Sequence, residues 1–284
     1  MEYSLASLAT PVEIDQPCHG EGCGKTFKTE RRIYTMAGNE YDLTECYCPD
    51  CCARISATAE SQQKAALQQA QASVRRKWRE DWSGIPAKYQ LTTFEAFERQ
   101  LQPTMFKIME DYANAWTGYP KGMASMFIYS EHPTYGVGKT HLMAAMGHRI
   151  LDRWRGDPDH SVIPIRFMAE RELFRSLRAS YNPSEGRPVV SEEAIYRRLT
   201  SAPLLILDDL GKEVVKDPSF VQRVYWNLVD ARYQADLPMV ISSNISLDGV
   251  SDRLGQATAE RIMEMTQGNI WEMSGDSFRF REVA

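Results

Sequence analysis

The 284-residue chain has no apolar run approaching the ~20 residues that span a bilayer, which excludes a membrane-spanning helix. Its opening stretch, MEYSLASLATPVEID, lacks a positive segment followed by an apolar one, so no secretion signal is read there. The expected location is cytoplasmic, where thiols stay reduced. Positive charge is not in excess. Lys and Arg number 33 against 38 Asp and Glu, a net charge of −5, so any nucleic-acid contact must come from a local basic patch. Cysteine is missing everywhere outside residues 18–52, and Gly and Pro are missing from 53–82. Internal repeats and low-complexity tracts are absent too. With 43 % hydrophobic and 25 % charged residues, what remains is ordinary globular material for one or two domains with a sizeable core.

All six cysteines fall in CHGEGCGKTFKTERRIYTMAGNEYDLTECYCPDCC, residues 18–52. Cys48-Pro49-Asp50-Cys51 is a tight knuckle, and Cys18 with Cys23 forms a looser pair. Between them lie two strand-like runs, TFKTERRIYTM and EYDLTECY, with a hairpin turn expected at Ala37-Gly38-Asn39. Two cysteine pairs flanking a hairpin have zinc-ribbon spacing, and four thiolates close a structural site. Cys18, Cys23, Cys48 and Cys51 are the expected Zn2+ ligands; Cys46 or Cys52 could replace one, and His19 could replace Cys18. A domain of ~50 residues has little core of its own, so the metal would supply its folding energy.

Residues 53–82 are rich in Ala, Gln, Arg and Glu and read as a helix with a thin apolar stripe of Leu67, Val74 and Trp78. SGIP then breaks the pattern. The expected organisation is a zinc-binding domain over 1–55, a helical linker over 56–83 and a larger domain over 84–284. In the last, strands alternate with helices. MASMFIYS, SVIPIRFMA, APLLILDDLG and LPMVISSN read as strands; KTHLMAAMGHRILDRW, ERELFRSLRAS, PSFVQRVYWNLVDARYQA and the stretch around ATAERIMEM read as helices. Such alternation predicts an α/β fold with a mostly parallel sheet covered on both faces.

Chemistry enters at YGVGKTH. Gly136, Val137, Gly138, Lys139, Thr140 and His141 follow a strand and open a helix, where backbone N–H groups attract phosphate. Lys139 would reach the β- and γ-phosphates of ATP, and Thr140 would ligate Mg2+. The phosphate-loop pattern G-x-x-x-x-G-K-[ST] puts Pro133 where its first glycine belongs, so the chain leaves its strand by an unusual route. LLILDD delivers Asp208 to the carboxyl end of a buried strand, placed to hold Mg2+ through water, and Asp209 to orient or deprotonate an attacking water. Asn244, ending the next strand, is placed to reach the γ-phosphate or that water.

With these residues in view, the chain resembles the helicase-loader branch of the AAA+ ATPases, the DnaC/DnaI type, with IstB-like transposition ATPases as relatives. The matching segments are GIPAKYQLTTFEAF, YGVGKTHLMAA, LLILDDLGKE, ARYQADLPMVISSNIS and AERIMEM…GDSFR, spread over 84–279. The resemblance implies an AAA+ P-loop core with a five-stranded parallel sheet; the chain ends soon after GDSFRFREVA, so no C-terminal helical lid is expected. It implies ATP hydrolysis, slow alone and stimulated by partners or single-stranded DNA. It further implies a hexameric replicative helicase of the DnaB type as partner, single-stranded DNA, and self-association through the ATPase domain. Arg261 matches the arginine-finger region, with Arg253 a nearby competitor and Met265 where a second arginine often stands. Arg279 matches a terminal arginine near the nucleotide, and Arg232 a recurring position without an assigned role. The loaders' extra DNA-steering helix corresponds to NPSEGRPVVSEEAIYRRL; before it, Arg171, Arg175 and Arg178 share a helical face that could meet phosphates. DnaI-type loaders also carry an N-terminal zinc module that meets the helicase. The rival readings are an IstB-like transposition ATPase and a zinc-containing DNA-binding regulator whose P-loop is structural.

Overall fold

A computed structural model describes residues 12–36, 39–42, 44–116, 121–131, 136–154, 163–181, 190–212 and 217–278. Two compact units divide between Gln71 and Ala72.

The N-terminal unit holds two antiparallel hairpins. β1 (Val12–Pro17) pairs with β2 (Thr26–Arg31), and β3 (Ile33–Met36) pairs with β4 (Asn39–Asp42), closing at Met36↔Asn39 beside the expected turn. β1 was not expected. VEIDQP carries little β propensity, and its residues stay exposed or half-buried, so neither composition nor burial marks it. α1 (Pro49–Lys77) begins on the second cysteine knuckle and crosses the division between the units; a π-helical stretch, Trp78–Trp82, follows it. The helix read at 53–82 therefore starts earlier, because Pro suits a first helical turn. Residues 52–70 are all exposed, as the thin apolar stripe requires.

The C-terminal unit contains α2 (Pro103–Ala115), β5 (Met126–Tyr129), α3 (Lys139–Arg153), β6 (Ile165–Ala169), α4 (Glu170–Tyr181), α5 (Glu192–Thr200), β7 (Leu204–Leu210), α6 (Pro218–Gln234), β8 (Met239–Ser243), α7 (Leu247–Leu254), α8 (Gln256–Thr266) and β9 (Ile270–Glu272). One sheet of five parallel strands runs in the order β6-β7-β8-β5-β9. Period-two alternation explains the apolar runs. In β7, Leu204 and Ile206 join a core with Met109, Leu142, Met146 and Ile150 on one face, while Leu205 and Leu207 join Leu173, Val224 and Leu228 on the other. β9 escaped the strand-by-strand reading because three residues at an edge show no periodicity.

Two details fix the frame. Arg232 is fully buried and donates to the carbonyls of Leu199 (2.7 Å), Ala202 (2.8 Å), Pro203 (3.4 Å) and Pro238 (2.6 Å), tying the end of α5 to the starts of β7 and β8. At the β6 edge, Phe167 N–H donates to Ser83 O at 2.7 Å. Gly84 makes this approach possible: its φ is +79°, and a Cβ there would lie 2.3 Å from Phe167 O. Residues 182–189 of the expected DNA-steering insert lie outside the described residues; α5 is its described part. Arg171, Arg175 and Arg178 are exposed, opposite buried Leu173, Phe174 and Leu177 of α4, and Arg175 pairs with Glu172 at 2.7 Å.

Candidate functional site

β5 lies between β8 and β9, so its carboxyl end opens inside the sheet and not at an edge, near α3 and the ends of β7 and β8. Gly138, in the left-handed region at φ +95°, precedes Lys139 and starts α3. The Lys139 ammonium is buried; it donates to Ser130 Oγ just past β5 and to Asn244 Oδ1 just past β8, at 3.0 Å for the latter. Thr140 Oγ1 lies 3.1 and 3.0 Å from the two carboxylate oxygens of Asp208.

β7 does not end plainly at its acids. Its register against β8 shifts between Leu207 and Leu210, and Asp209 stands at φ +61°. A bulge of this kind re-aims side chains beside a site. Ser242 holds it in place: its Oγ accepts from Asp209 N–H at 2.9 Å and donates to Asp208 Oδ1 at 2.5 Å. Asp208 is thereby turned inward toward Thr140. Burial, then the neighbouring Asp209 charge, pushes its carboxyl up to about 6, against the hydrogen bonds of Ser242 and Thr140 and the Lys139 charge. Asp209 faces outward. Lys212 Nζ donates to its Oδ2 at 2.8 Å and Asn244 Nδ2 to its Oδ1 at 3.4 Å.

Lys139, Thr140, Asp209, Lys212 and Asn244 face a cavity of about 750 Å³, within the size range of ligand pockets, while Asp208 sits behind Thr140 and does not line it. Gly136 to His141, Asp209 and Asn244 line it, as the sequence reading placed them. Tyr89, Phe97, Phe278, Lys88, Gly211 and Lys212 line it too and were not singled out as site residues. Tyr89 and Phe97 belong to GIPAKYQLTTFEAF and Lys212 to LLILDDLGKE, segments used only for resemblance; that was the signal available. His141 lies edge-on to Phe97, with centroids 5.2 Å apart, and Phe278 packs on the same ring at 5.6 Å. Burial pushes the His141 imidazole down, and its Nε2 is buried without a hydrogen-bond partner. The cavity thus joins an aromatic end to an end rich in N–H donors and lysines.

Arg261 is not brought to this cavity. On α8 it pairs with Asp230 of α6 at 3.0 Å, and its guanidinium lies 3.9 Å from the Trp226 ring centroid. Arg253 pairs with fully buried Glu170 at 3.2 Å. Arg279 and Pro133 lie outside the described residues.

In the N-terminal unit, the Sγ atoms of Cys18, Cys23, Cys48 and Cys51 all lie within 4.8 Å of one another, and Cys23 and Cys48 are 3.7 Å apart. Tetrahedral zinc with bonds of ~2.3 Å separates its sulfurs by ~3.8 Å, so the cluster fits that ion. Backbone N–H groups of Cys48 (3.2 Å) and Gly20 (3.3 Å) donate to Cys18 Sγ; chiefly through Cys48, they help to hold that thiol down to about 6. A Cβ at Gly20 would lie 2.5 Å from Cys51 Sγ, so the cradle excludes a side chain there. Cys46 and Cys52 point elsewhere, donating to Thr44 O and Tyr47 O.

The chain is similar to replicative helicase loaders named DnaC, as the sequence reading expected. It is 25 % identical over 201 residues to the DnaC of Buchnera aphidicola subsp. Baizongia pistaciae (strain Bp), covering 69 % of this chain and 73 % of the relative. It is 26 % identical over 203 residues to the DnaC of Escherichia coli (strain K12), covering 70 % and 74 %. An uncharacterized Escherichia coli (strain K12) protein, YdaV, is 28 % identical over 153 residues, 54 % of each chain. No protein-family model matches. Among solved structures, the DnaC helicase loader superposes with a TM-score of 0.50 at 18 % identity, covering 66 % of this chain and all of that one. The fold is accordingly of the DnaC kind. Among the described residues, no helix is long and apolar enough to cross a membrane.

Proposed function

We propose that this protein is an ATP-dependent loader of a hexameric replicative DNA helicase, setting it on single-stranded DNA. The observation that carries the reading is the hydrogen-bonded set of Lys139, Asn244 and Asp209, joined through Ser242 to Asp208 and Thr140, at the carboxyl ends of the strands of a DnaC-like sheet. A lysine, two carboxylates and an amide converging at a helix N-terminus suit a triphosphate and little else.

In this reading the backbone N–H groups of residues 136–141 cradle the phosphates. Lys139 exchanges its Ser130 and Asn244 partners for phosphate oxygens, and the base lies against Phe97, Phe278 and Tyr89. Thr140 and Asp208 hold Mg2+, which supplies charge neutralisation on the phosphate chain. Asp209 receives the proton of the attacking water, which Asn244 helps to orient. Arg261 lies away from its own cavity and serves the nucleotide of a neighbouring copy, so turnover alone is slow. Arg279 contributes a further cation near the nucleotide. Cys18, Cys23, Cys48 and Cys51 hold a structural Zn2+ that folds the N-terminal unit, and that unit meets the helicase. Residues 1–55, 56–83 and 84–284 serve as docking domain, linker and ATPase, in a cytoplasmic protein.

The test mixes pure protein with the replicative helicase of its host, with and without an ATP analogue, and images the mixture by electron microscopy. A nucleotide-sensitive complex is expected, and Lys139→Ala abolishes that sensitivity while keeping the fold. No complex in any nucleotide state would sink the proposal. Filaments on duplex DNA instead would assign the chain to transposition.

A further inference from the structure

Resting on the ATPase reading, we infer that Lys212 is a second phosphate-binding lysine that covers the base Asp209 until a triphosphate draws it away. A tight turn brings it there. Lys212 N–H donates to Asp209 O at 3.2 Å, across Gly211 at φ +93°. A side chain at Gly211 would meet Ile245 Cδ1 at 3.0 Å, so the turn tolerates nothing larger without repacking. The Lys212 ammonium folds back onto Asp209 Oδ2 at 2.8 Å, and the residue lines the same cavity as Lys139.

The bonds then form one bridge across the cavity. Lys139 donates to Asn244 Oδ1 at 3.0 Å, Asn244 Nδ2 donates to Asp209 Oδ1 at 3.4 Å, and Lys212 donates to Asp209 Oδ2 at 2.8 Å. Each oxygen of Asp209 accepts one hydrogen bond, and the Lys212 ammonium stands over the carboxylate, so a water approaching it must share the group with that cation. Each end of the bridge is an ammonium.

The two ends are held unequally. Lys139 is buried, whereas the Lys212 and Asp209 side chains are 58 % and 31 % exposed. An ion pair so open to water is weakly held, so it exchanges readily for a stronger anion. A phosphate chain carrying several charges is such an anion. Arrival of the outermost phosphate draws Lys212 off Asp209, and the base is uncovered only once its substrate is present. A diphosphate, lacking that group, leaves the pair closed. Lys212 is therefore a positioning residue for Asp209 and a reader of the third phosphate.

Calorimetric titration of the full chain with ATPγS and with ADP, both with Mg2+, tests this for wild type, Lys212→Ala and Lys212→Arg. Lys212→Ala should weaken ATPγS roughly five- to tenfold and leave ADP within about twofold, while Lys212→Arg stays near wild type. Steady-state turnover should show the same loss in KM, with kcat changed by less than about threefold. Equal effects on ATPγS and ADP, no effect on either, or tighter ATPγS binding by the alanine variant would each overturn the inference. Wild type that binds neither nucleotide would instead overturn the ATPase reading, so the two failures are separable.

Discussion

Two charged groups are buried at opposite ends of one sheet. Arg232 lies at the amino ends of β7 and β8, and Asp208 at the carboxyl end of β7. Burial pushes both toward neutrality, Asp208 up to about 6 and Arg232 down to about 9. They differ in what meets them. Arg232 is held by main-chain carbonyls, which cannot leave, and joins three elements. Asp208 is met by two hydroxyls, Thr140 and Ser242, both able to turn to other partners. A buried charge satisfied by backbone is a fastener; one satisfied by hydroxyls at a cavity is ready for a cation.

The cysteine cluster widens the comparison and carries the largest expected effect. The hairpin of β1 and β2 has no buried residue, so in the zinc-bound reading proposed above the metal supplies what a core would. Chelating zinc should abolish amide protection across residues 12–48 in hydrogen exchange while leaving the melting of the C-terminal unit in place. Retained protection would contradict a structural metal.

Next comes Arg232→Met. It leaves several buried carbonyls without a donor, so a loss of ~3 kcal/mol or more is expected. In a unit of this size that is a fall of ~6–12 °C in Tm, read by scanning calorimetry. Nucleotide affinity of the folded protein should stay near wild type; a selective loss of affinity would break the comparison.

Asp208→Asn should do the reverse, lowering magnesium-dependent turnover ~10²-fold without lowering Tm. The pH dependence gives its sign. The folded pKa of Asp208 is raised, so the folded state binds the proton more tightly than the unfolded state does. Without nucleotide, its burden on stability is relieved as pH falls through about 6 toward its ordinary value near 4 and is fully present above 6. The stability difference between wild type and Asp208→Asn should therefore grow by ~2–3 kcal/mol from pH 4 to pH 7, in favour of the variant. A flat difference would show that Asp208 does not titrate in that window.

The smallest effect is that of Ser242→Ala. It removes the donor to Asp208 and the acceptor for Asp209 N–H, for ~1–2 kcal/mol of stability. Turnover should fall more than stability alone explains, since the bulge aims both acids; equal losses in the two readouts would reduce Ser242 to a packing role.

What could be read from the chain beforehand divides by distance. The Gly-Lys-Thr turn, the Asp208-Asp209 pair and the cysteine knuckles are contiguous, and their chemistry survives any packing. The alternating strands and helices were legible because apolar runs covered on both faces leave no ambiguity of side. Arg232 gave no such sign, because its partners are carbonyls 29–33 residues away in sequence, apart from Pro238. The aromatic wall draws Tyr89, Phe97 and Phe278 from opposite ends of the unit, which periodicity cannot join. The bulge at Asp209 is a positive-φ conformation that aspartate tolerates but does not announce.

The seal that Ser83 and Gly84 place on β6 bears on how copies of this molecule can meet. A sheet extends from one protein to the next only through an open lateral strand. Among the described residues, Phe167 at one flank already donates to the chain's own Ser83, and the other flank ends in the three-residue β9. Neighbours are thereby steered away from strand-to-strand stitching, so any ordered ring or filament would be built from side chains on helices and loops, contacts that form and part more readily than a shared sheet.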